Sequence, residues 1–129
     1  IADVLEQIAA IGEEYGLRIC NVFHAGDGNL HPLVLFDDRN PEHLAKVHKA
    51  GEKILRACVD AGGSLTGEHG IGFEKIGAMS WLFDDTSLDL MVKIREVFNP
   101  KGLSNPGKAV PTPGQCVETK MIYGSVRNA

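Results

Sequence analysis

Cysteine is scarce in this chain. The 129 residues hold three, Cys20, Cys58 and Cys116, an odd number with no CxxC pair among them. That count argues against a disulfide framework or a zinc ribbon; the three read as reduced, cytosolic thiols, with Cys20 and Cys58 on apolar periodic positions and expected to be buried. No apolar run reaches the roughly 18 residues needed to span a membrane. No basic block occurs, and 13 Lys and Arg against 17 Asp and Glu give a net charge of −4, so nucleic acid is not an expected partner. The glycine-rich GxGxxG fingerprint of dinucleotide-binding folds is missing, as are internal repeats and low-complexity stretches. What remains, 43% hydrophobic and 23% charged residues, is the composition of an ordinary soluble globular domain with a modest core. The chain opens on Ile1 rather than Met, with no secretory signal, and is expected to be a fragment or a processed product.

Two short stretches carry the chemistry. The first is His24-Ala25-Gly26-Asp27-Gly28-Asn29-Leu30-His31. Asp-Gly is a strong signal for a two-residue type I′ turn, whose central residues need positive φ. Such a turn at Asp27-Gly28 would pair Gly26 with Asn29, Ala25 with Leu30 and His24 with His31. Opposed residues of an antiparallel pair share a face, with Cβ atoms about 4.5–5.5 Å apart, close enough for two imidazoles to share a metal. Taken alone, the octapeptide is equally at home as turn punctuation between strands. The second stretch, Gly67-Glu68-His69-Gly70-Ile71-Gly72, adds a carboxylate and a spare imidazole where glycines permit close backbone approach. Two histidines and one carboxylate form an open coordination set for zinc or another first-row divalent ion.

Periodicity places these stretches on elements. Val4, Ile8, Ile11 and Tyr15 share one face of a helix over 3–15 that Gly16 ends. Arg18 to Phe36 reads as the hairpin, apolar on both faces, with Pro32 where no ladder bond is required. Asn40-Pro41 opens a second helix as N-cap and N1, buried through Leu44, Val47, Ile54, Leu55, Cys58 and Val59 and ended by Gly62-Gly63; His43 and His48 lie off that stripe and read as solvated. Ser64-Leu65-Thr66 is expected to be a short strand delivering Glu68 and His69. A short helical piece follows over 74–83. Thr86 with Asp89 then resembles a capping box for a third helix, buried through Leu88, Met91, Ile94 and Phe98 and stopped by Asn99-Pro100. Residues 111–129 are expected to form an extended or mobile tail. The fold class is therefore α+β: a ferredoxin-like split βαββαβ unit incomplete at its N-terminus, an antiparallel sheet with helices on one face.

Three motifs in order, His24 to Pro32, Gly67 to Gly72, and Asn99-Pro100-Lys101-Gly102-Leu103-Ser104-Asn105-Pro106-Gly107-Lys108, resemble the C-terminal part of the FAD-linked oxidases of the vanillyl-alcohol-oxidase type, on the side of glycolate oxidase D subunits and D-lactate dehydrogenases. The likeness covers about residues 1–110. It implies the second half of a catalytic cap plus the segment that returns to an N-terminal FAD-binding domain. It further implies that His24, His31 and Glu68 bind a divalent metal, zinc or another first-row ion, and that His69 is the general base. The metal would polarise the hydroxyl of a small 2-hydroxy acid while hydride passes to flavin N5. Asn105 is implied as a cofactor contact, although a helix stop followed by a turn accounts for it equally well. Relatives acting on dicarboxylates carry a polar residue two positions after the second histidine; Leu33 stands there in this chain and favours glycolate or lactate.

The implied partners are the substrate, the chain's own FAD-binding domain, and FAD-binding and iron–sulfur subunits, with oxygen, quinone or an iron–sulfur subunit open as acceptor. The implied location is cytoplasmic, peripheral to the membrane only through partner subunits. Alone, the chain is expected neither to hold FAD nor to oxidise a 2-hydroxy acid. Two competing classes are a stand-alone metallohydrolase, with metal-bound water as nucleophile, and a non-catalytic interaction module in which the same side chains are dispersed.

Overall fold

A computed structural model describes residues 1–111; Cys116 and all but the first residue of the expected tail lie outside the described residues. The order is α1 (Ala2–Tyr15), β1 (Arg18–His24), β2 (Asn29–Leu35), α2 (Pro41–Asp60), a 3-10 helix (Ile76–Trp81) and α3 (Asp85–Phe98). Two compact units divide between Glu68 and His69.

The first unit is an α+β layer built on the hairpin. Helix α1 places Val4, Ile8 and Ile11 on one stripe, where they pack with Ala50 and Ile54 of α2; Ile19 of β1 and Leu30 of β2 close against that cluster. Ile8 is fully buried. Both helices end in the same way. Gly16, at φ 63°, donates to the Glu13 carbonyl while Leu17 N–H reaches back to Gly12. Gly62, at φ 81°, donates to Val59 while Gly63 reaches Cys58. This paired bonding of the last carbonyls is the Schellman closure, and its left-handed position is one that residues with a Cβ occupy at a cost. At the other end of α2, the Asn40 side chain accepts from the Glu42 and His43 amides at 3.0 and 3.4 Å, with Pro41 at the first helical position as expected. Lys53 of α2 ties back to Glu14 of α1 at 2.6 Å and lies over the Tyr15 ring.

The strands pair antiparallel with Ile19 opposite Val34, Asn21 opposite Pro32, Val22 opposite His31 and His24 opposite Asn29. Pro32, lacking an N–H, stands opposite Asn21, where an antiparallel ladder can leave a non-hydrogen-bonded pair. Alternation sends Ile19 and Leu30 to the helices and Cys20, Val22, His24, Asn29, His31, Leu33 and Leu35 to the other face. That face is open among the described residues: Val22, Leu33 and Leu35 are about half exposed. Cys20 is exposed too, contrary to its expected burial, because it falls on the side of the strand turned away from the cluster that α1 and α2 form with Ile19.

Residues 64–66 form no strand; Leu65 is buried, but the stretch is an irregular connection after the α2 closure. In the second unit, Ile76, Ala78 and Met79 of the 3-10 helix are buried. Helix α3 is capped by Asp84, whose carboxylate accepts from Ser87 N–H at 2.8 Å, two residues before the expected Thr86 box. No residue of α3 is buried; Ile94 and Phe98, expected in its core-facing stripe, are exposed, Phe98 to 85%. After the helix, the Arg95 guanidinium donates to the backbone carbonyls of Ser104, Asn105 and Lys108, and Asn99 exchanges side-chain and backbone bonds with Ser104 at 3.2 Å. These contacts hold residues 99–108 as a bound turn, with Asn105 at φ 44°. No helix of the described residues is long and apolar enough to cross a membrane.

Candidate metal and active site

The hairpin turn sets the site. Asp27 N–H donates to the His24 carbonyl at 3.0 Å, and Gly28 has φ 71°. The loop is therefore four residues, Ala25 to Gly28, rather than the expected two at Asp27-Gly28, and the register is shifted accordingly. His24 faces Asn29, and His31 faces Val22. The shift is two residues, one full period of a strand, so both histidines still project from the same face. They meet diagonally: the ring centroids are 5.3 Å apart, edge to face at 80°.

Glu68 reaches the same point from the connection that follows α2. One carboxylate oxygen, Oε1, lies 3.1 Å from His31 Nε2 and 3.8 Å from His24 Nε2. Ligand atoms from His24, His31 and Glu68 all fall within 4.8 Å of one another. A tetrahedral ion with bonds of about 2.1 Å holds its ligand atoms roughly 3.4 Å apart, so small side-chain rotations separate the observed grouping from a coordination shell. Donor chemistry fits as well, because imidazole and carboxylate together suit zinc and its first-row neighbours. His31 is the sheltered member, 19% exposed against 56% for His24. One side of the group is thus fixed against the strands and the other is open to an incoming ligand.

Asn29 was not legible as part of this group. In the expected register it faces Gly26; in the structure it faces His24, and its amide nitrogen lies 3.4 Å from His31 Nε2. His69, next in the chain after Glu68, is exposed and begins the second unit. Asn105 lies in the turn held by Arg95 and, with Arg95, Phe98, Asn99 and Lys108 among others, lines a cavity of about 370 Å³. His43 and His48 are exposed on α2, as expected.

The chain that carries this unit has relatives among known proteins. Residues 1–109 match the family model described as FAD linked oxidases, C-terminal domain, and the chain belongs to that family. Among curated proteins it is similar to the glycolate oxidase subunit GlcD of Escherichia coli, 50% identical over 115 residues, which are 89% of this chain and 23% of that protein. It is also similar to the GlcD subunit of Bacillus subtilis, 36% identical over 84% of this chain and 23% of the relative. The D-lactate dehydrogenase of Archaeoglobus fulgidus is likewise 36% identical, over 85% of this chain and 24% of the relative. The chain thus spans about a quarter of the length of these relatives.

Proposed function

We propose that this chain supplies the catalytic cap of an FAD-dependent 2-hydroxy-acid oxidoreductase acting on a small acid such as glycolate or D-lactate. The observation that carries the reading is the meeting of His24, His31 and Glu68 on one open face, with Glu68 Oε1 within 4 Å of both imidazoles. In this reading those three side chains would hold a divalent ion, zinc or a first-row neighbour, which would supply Lewis acidity toward the substrate's hydroxyl. FAD, carried mainly by a domain outside this chain, supplies the hydride acceptor. His69 holds the hydroxyl proton, a role that suits imidazole because its unperturbed pKa lies near neutrality. Loss of that proton and of the α-hydrogen as hydride turns the 2-hydroxy acid into a 2-oxo acid. Asn105, in a turn whose backbone Arg95 fixes, is the residue of this chain proposed to touch FAD.

Substrate size follows from the same face. Leu33, two residues beyond His31, projects beside it and is about half exposed. It offers no hydrogen bond to a second carboxylate, which favours monocarboxylic acids. The names of the relatives, a glycolate oxidase subunit and a D-lactate dehydrogenase, agree with that class. A multi-subunit assembly with FAD-binding and iron–sulfur subunits, in the cytoplasm or held at the membrane by those subunits, completes the proposal.

The test has two parts. The chain is joined to the FAD-binding domain of its own longer protein, and oxidation of glycolate, D-lactate and D-2-hydroxyglutarate is followed by dye reduction, for wild type and for His69→Ala and His24→Ala. Turnover of the small acids, lost in both variants, is the expected result. Preference for the dicarboxylate, or full activity of His24→Ala, would remove the reading.

A further inference from the structure

Asn29 is placed by three independent observations. The strand register sets it opposite His24 and hence on the face that carries both imidazoles. Its amide nitrogen lies 3.4 Å from His31 Nε2, the same ring nitrogen that meets Glu68 Oε1 at 3.1 Å. On its far side is Gly67. A Cβ built at Gly67 would stand 2.1 Å from Asn29 Oδ1 and 2.5 Å from Cγ, well inside contact distance. Gly67 is not among the glycines with positive φ; what it provides is room. The carboxamide fills the space where any side chain at 67 would lie, with the imidazole on one side and the main chain that leads into Glu68 on the other.

We infer that Asn29 is a positioning residue of the His24–His31–Glu68 group, a wedge between His31 and the backbone at Gly67 that sets how Glu68 meets the two imidazoles. The inference rests on the metal reading given under Proposed function and extends it to a pair of residues, Asn29 and Gly67, which act together. A planar amide has one rotatable bond beyond χ1, so it fixes a separation better than a longer side chain would. The wedge does not depend on which end of the amide is nitrogen: either end faces His31, and the other fills the space at Gly67. Outer partners of this kind orient ligands for an ion, and their loss typically weakens metal binding 10- to 100-fold.

Gly67→Ala removes the wedge by displacing the Asn29 amide while leaving residue 29 an asparagine. Its methyl meets the end of a flexible side chain, so the amide swings away and the fold is retained. The full chain is titrated with Zn²⁺ against a chromophoric chelator, and with Co²⁺ by visible absorption, while far-UV circular dichroism and the thermal midpoint monitor folding. Expected are a loss of about 10- to 100-fold in Zn²⁺ affinity for Asn29→Ala and for Gly67→Ala, and an altered Co²⁺ band in each. The double variant should be no weaker than either single one, because both remove the same contact. Asn29→Asp, which keeps the wedge, should retain most of the affinity.

Wild-type affinity in both single variants, or losses that add in the double variant, would overturn the inference. The contact is also read without metal, as nuclear Overhauser effects from the Asn29 amide to the Gly67 α-protons and the His31 ring. Their presence in wild type and loss in Gly67→Ala support the wedge, and their absence from wild type refutes it. Failure of wild type to bind Zn²⁺ at all, with His24→Ala equally silent, overturns the metal reading and with it the positioning role; the Overhauser contacts then decide the wedge alone.

Discussion

Val22, not His24, is the cross-strand partner of His31. The two imidazoles are therefore diagonal neighbours that meet edge to face, and Glu68 closes on both from one side. Diagonal placement puts Asn29, the cross-strand partner of His24, at the mouth of the turn and 3.4 Å from His31 Nε2. The geometry of the group follows from this relationship, and most of what can be measured on it does too.

Metal binding is the direct check. Zn²⁺ bound by the wild-type chain should be lost on His31→Ala and on Glu68→Gln, and weakened by at least 10-fold on His24→Ala, the most exposed of the three proposed ligands. His43→Ala, exposed on α2 and remote from the cluster in sequence, should behave as wild type. Isothermal titration of the four variants reads all of these outcomes.

The core makes a separate prediction. Ile8 is the one large side chain fully enclosed among the described residues, in contact with a cluster drawn from both helices and the hairpin. Ile8→Ala should cost about 2–5 kcal/mol, the range for emptying a packed aliphatic site, and urea denaturation should show it as a lowered midpoint. A loss under 1 kcal/mol would mean that α1 does not anchor the unit.

Asn21 offers the opposite effect. Its side-chain oxygen is buried without a hydrogen-bond partner, on the strand face turned toward the helices. Burying an unsatisfied amide oxygen carries a desolvation cost of about 1–3 kcal/mol. Asn21→Leu, which keeps the branched outline and the number of heavy atoms, should raise stability by about 1 kcal/mol and leave Zn²⁺ binding unchanged, since residue 21 points away from the histidines. A drop in stability, with no change in Asn21→Ala, would refute that cost.

Acid should loosen the start of α3. The Ser87 backbone bond to Asp84, seconded by the Ser87 side chain, holds the Asp84 carboxyl below the ordinary aspartate range. A carboxyl whose pKa is lowered on folding contributes stability that is present above its unfolded value of about 3.9 and is lost as pH falls through the folded value. The Ser87 amide resonance should accordingly titrate with a midpoint below about 3.9 in wild type. In Asp84→Asn, which keeps an N-cap acceptor without a charge, that titration should vanish.

The first unit was largely legible, for reasons that differ from element to element. Helix α2 was readable at both ends because Asn40-Pro41 and Gly62-Gly63 are unambiguous: one pair caps and fixes φ, the other supplies the left-handed residue the closing carbonyls require. The grouping of His24, His31 and Glu68 was readable although the turn was misjudged. Asp27-Gly28 fits a two-residue turn, but the chain closes at Asp27 N–H to His24 instead, and a slip of two residues preserves which face each side chain occupies. Asn29 escaped notice for the same reason, since only the longer loop brings it opposite His24.

The second unit was harder. Thr86 and Asp89 have the spacing of a capping box, but Asp84 and Ser87 lie two residues upstream with the same chemistry, and local pattern alone does not rank them. The apolar stripe of α3 was visible in its spacing, yet spacing states which residues belong on one side and not what, if anything, covers them; Ile94 and Phe98 are exposed. Ser64-Leu65-Thr66 was too short for alternation to mean anything.

The four-residue bend between the strands also limits how this region can vary. A strand presents its side chains up and down in turn, so insertions or deletions between Ala25 and Gly28 that shift the pairing are harmless to the histidines in twos and ruinous singly. An odd change, unless a bulge absorbs it, would turn one imidazole in toward the helices and the apolar residues of its own strand out, while the other imidazole stayed outside. Lengths of this bend differing by even numbers are the ones compatible with keeping both rings at the same mouth.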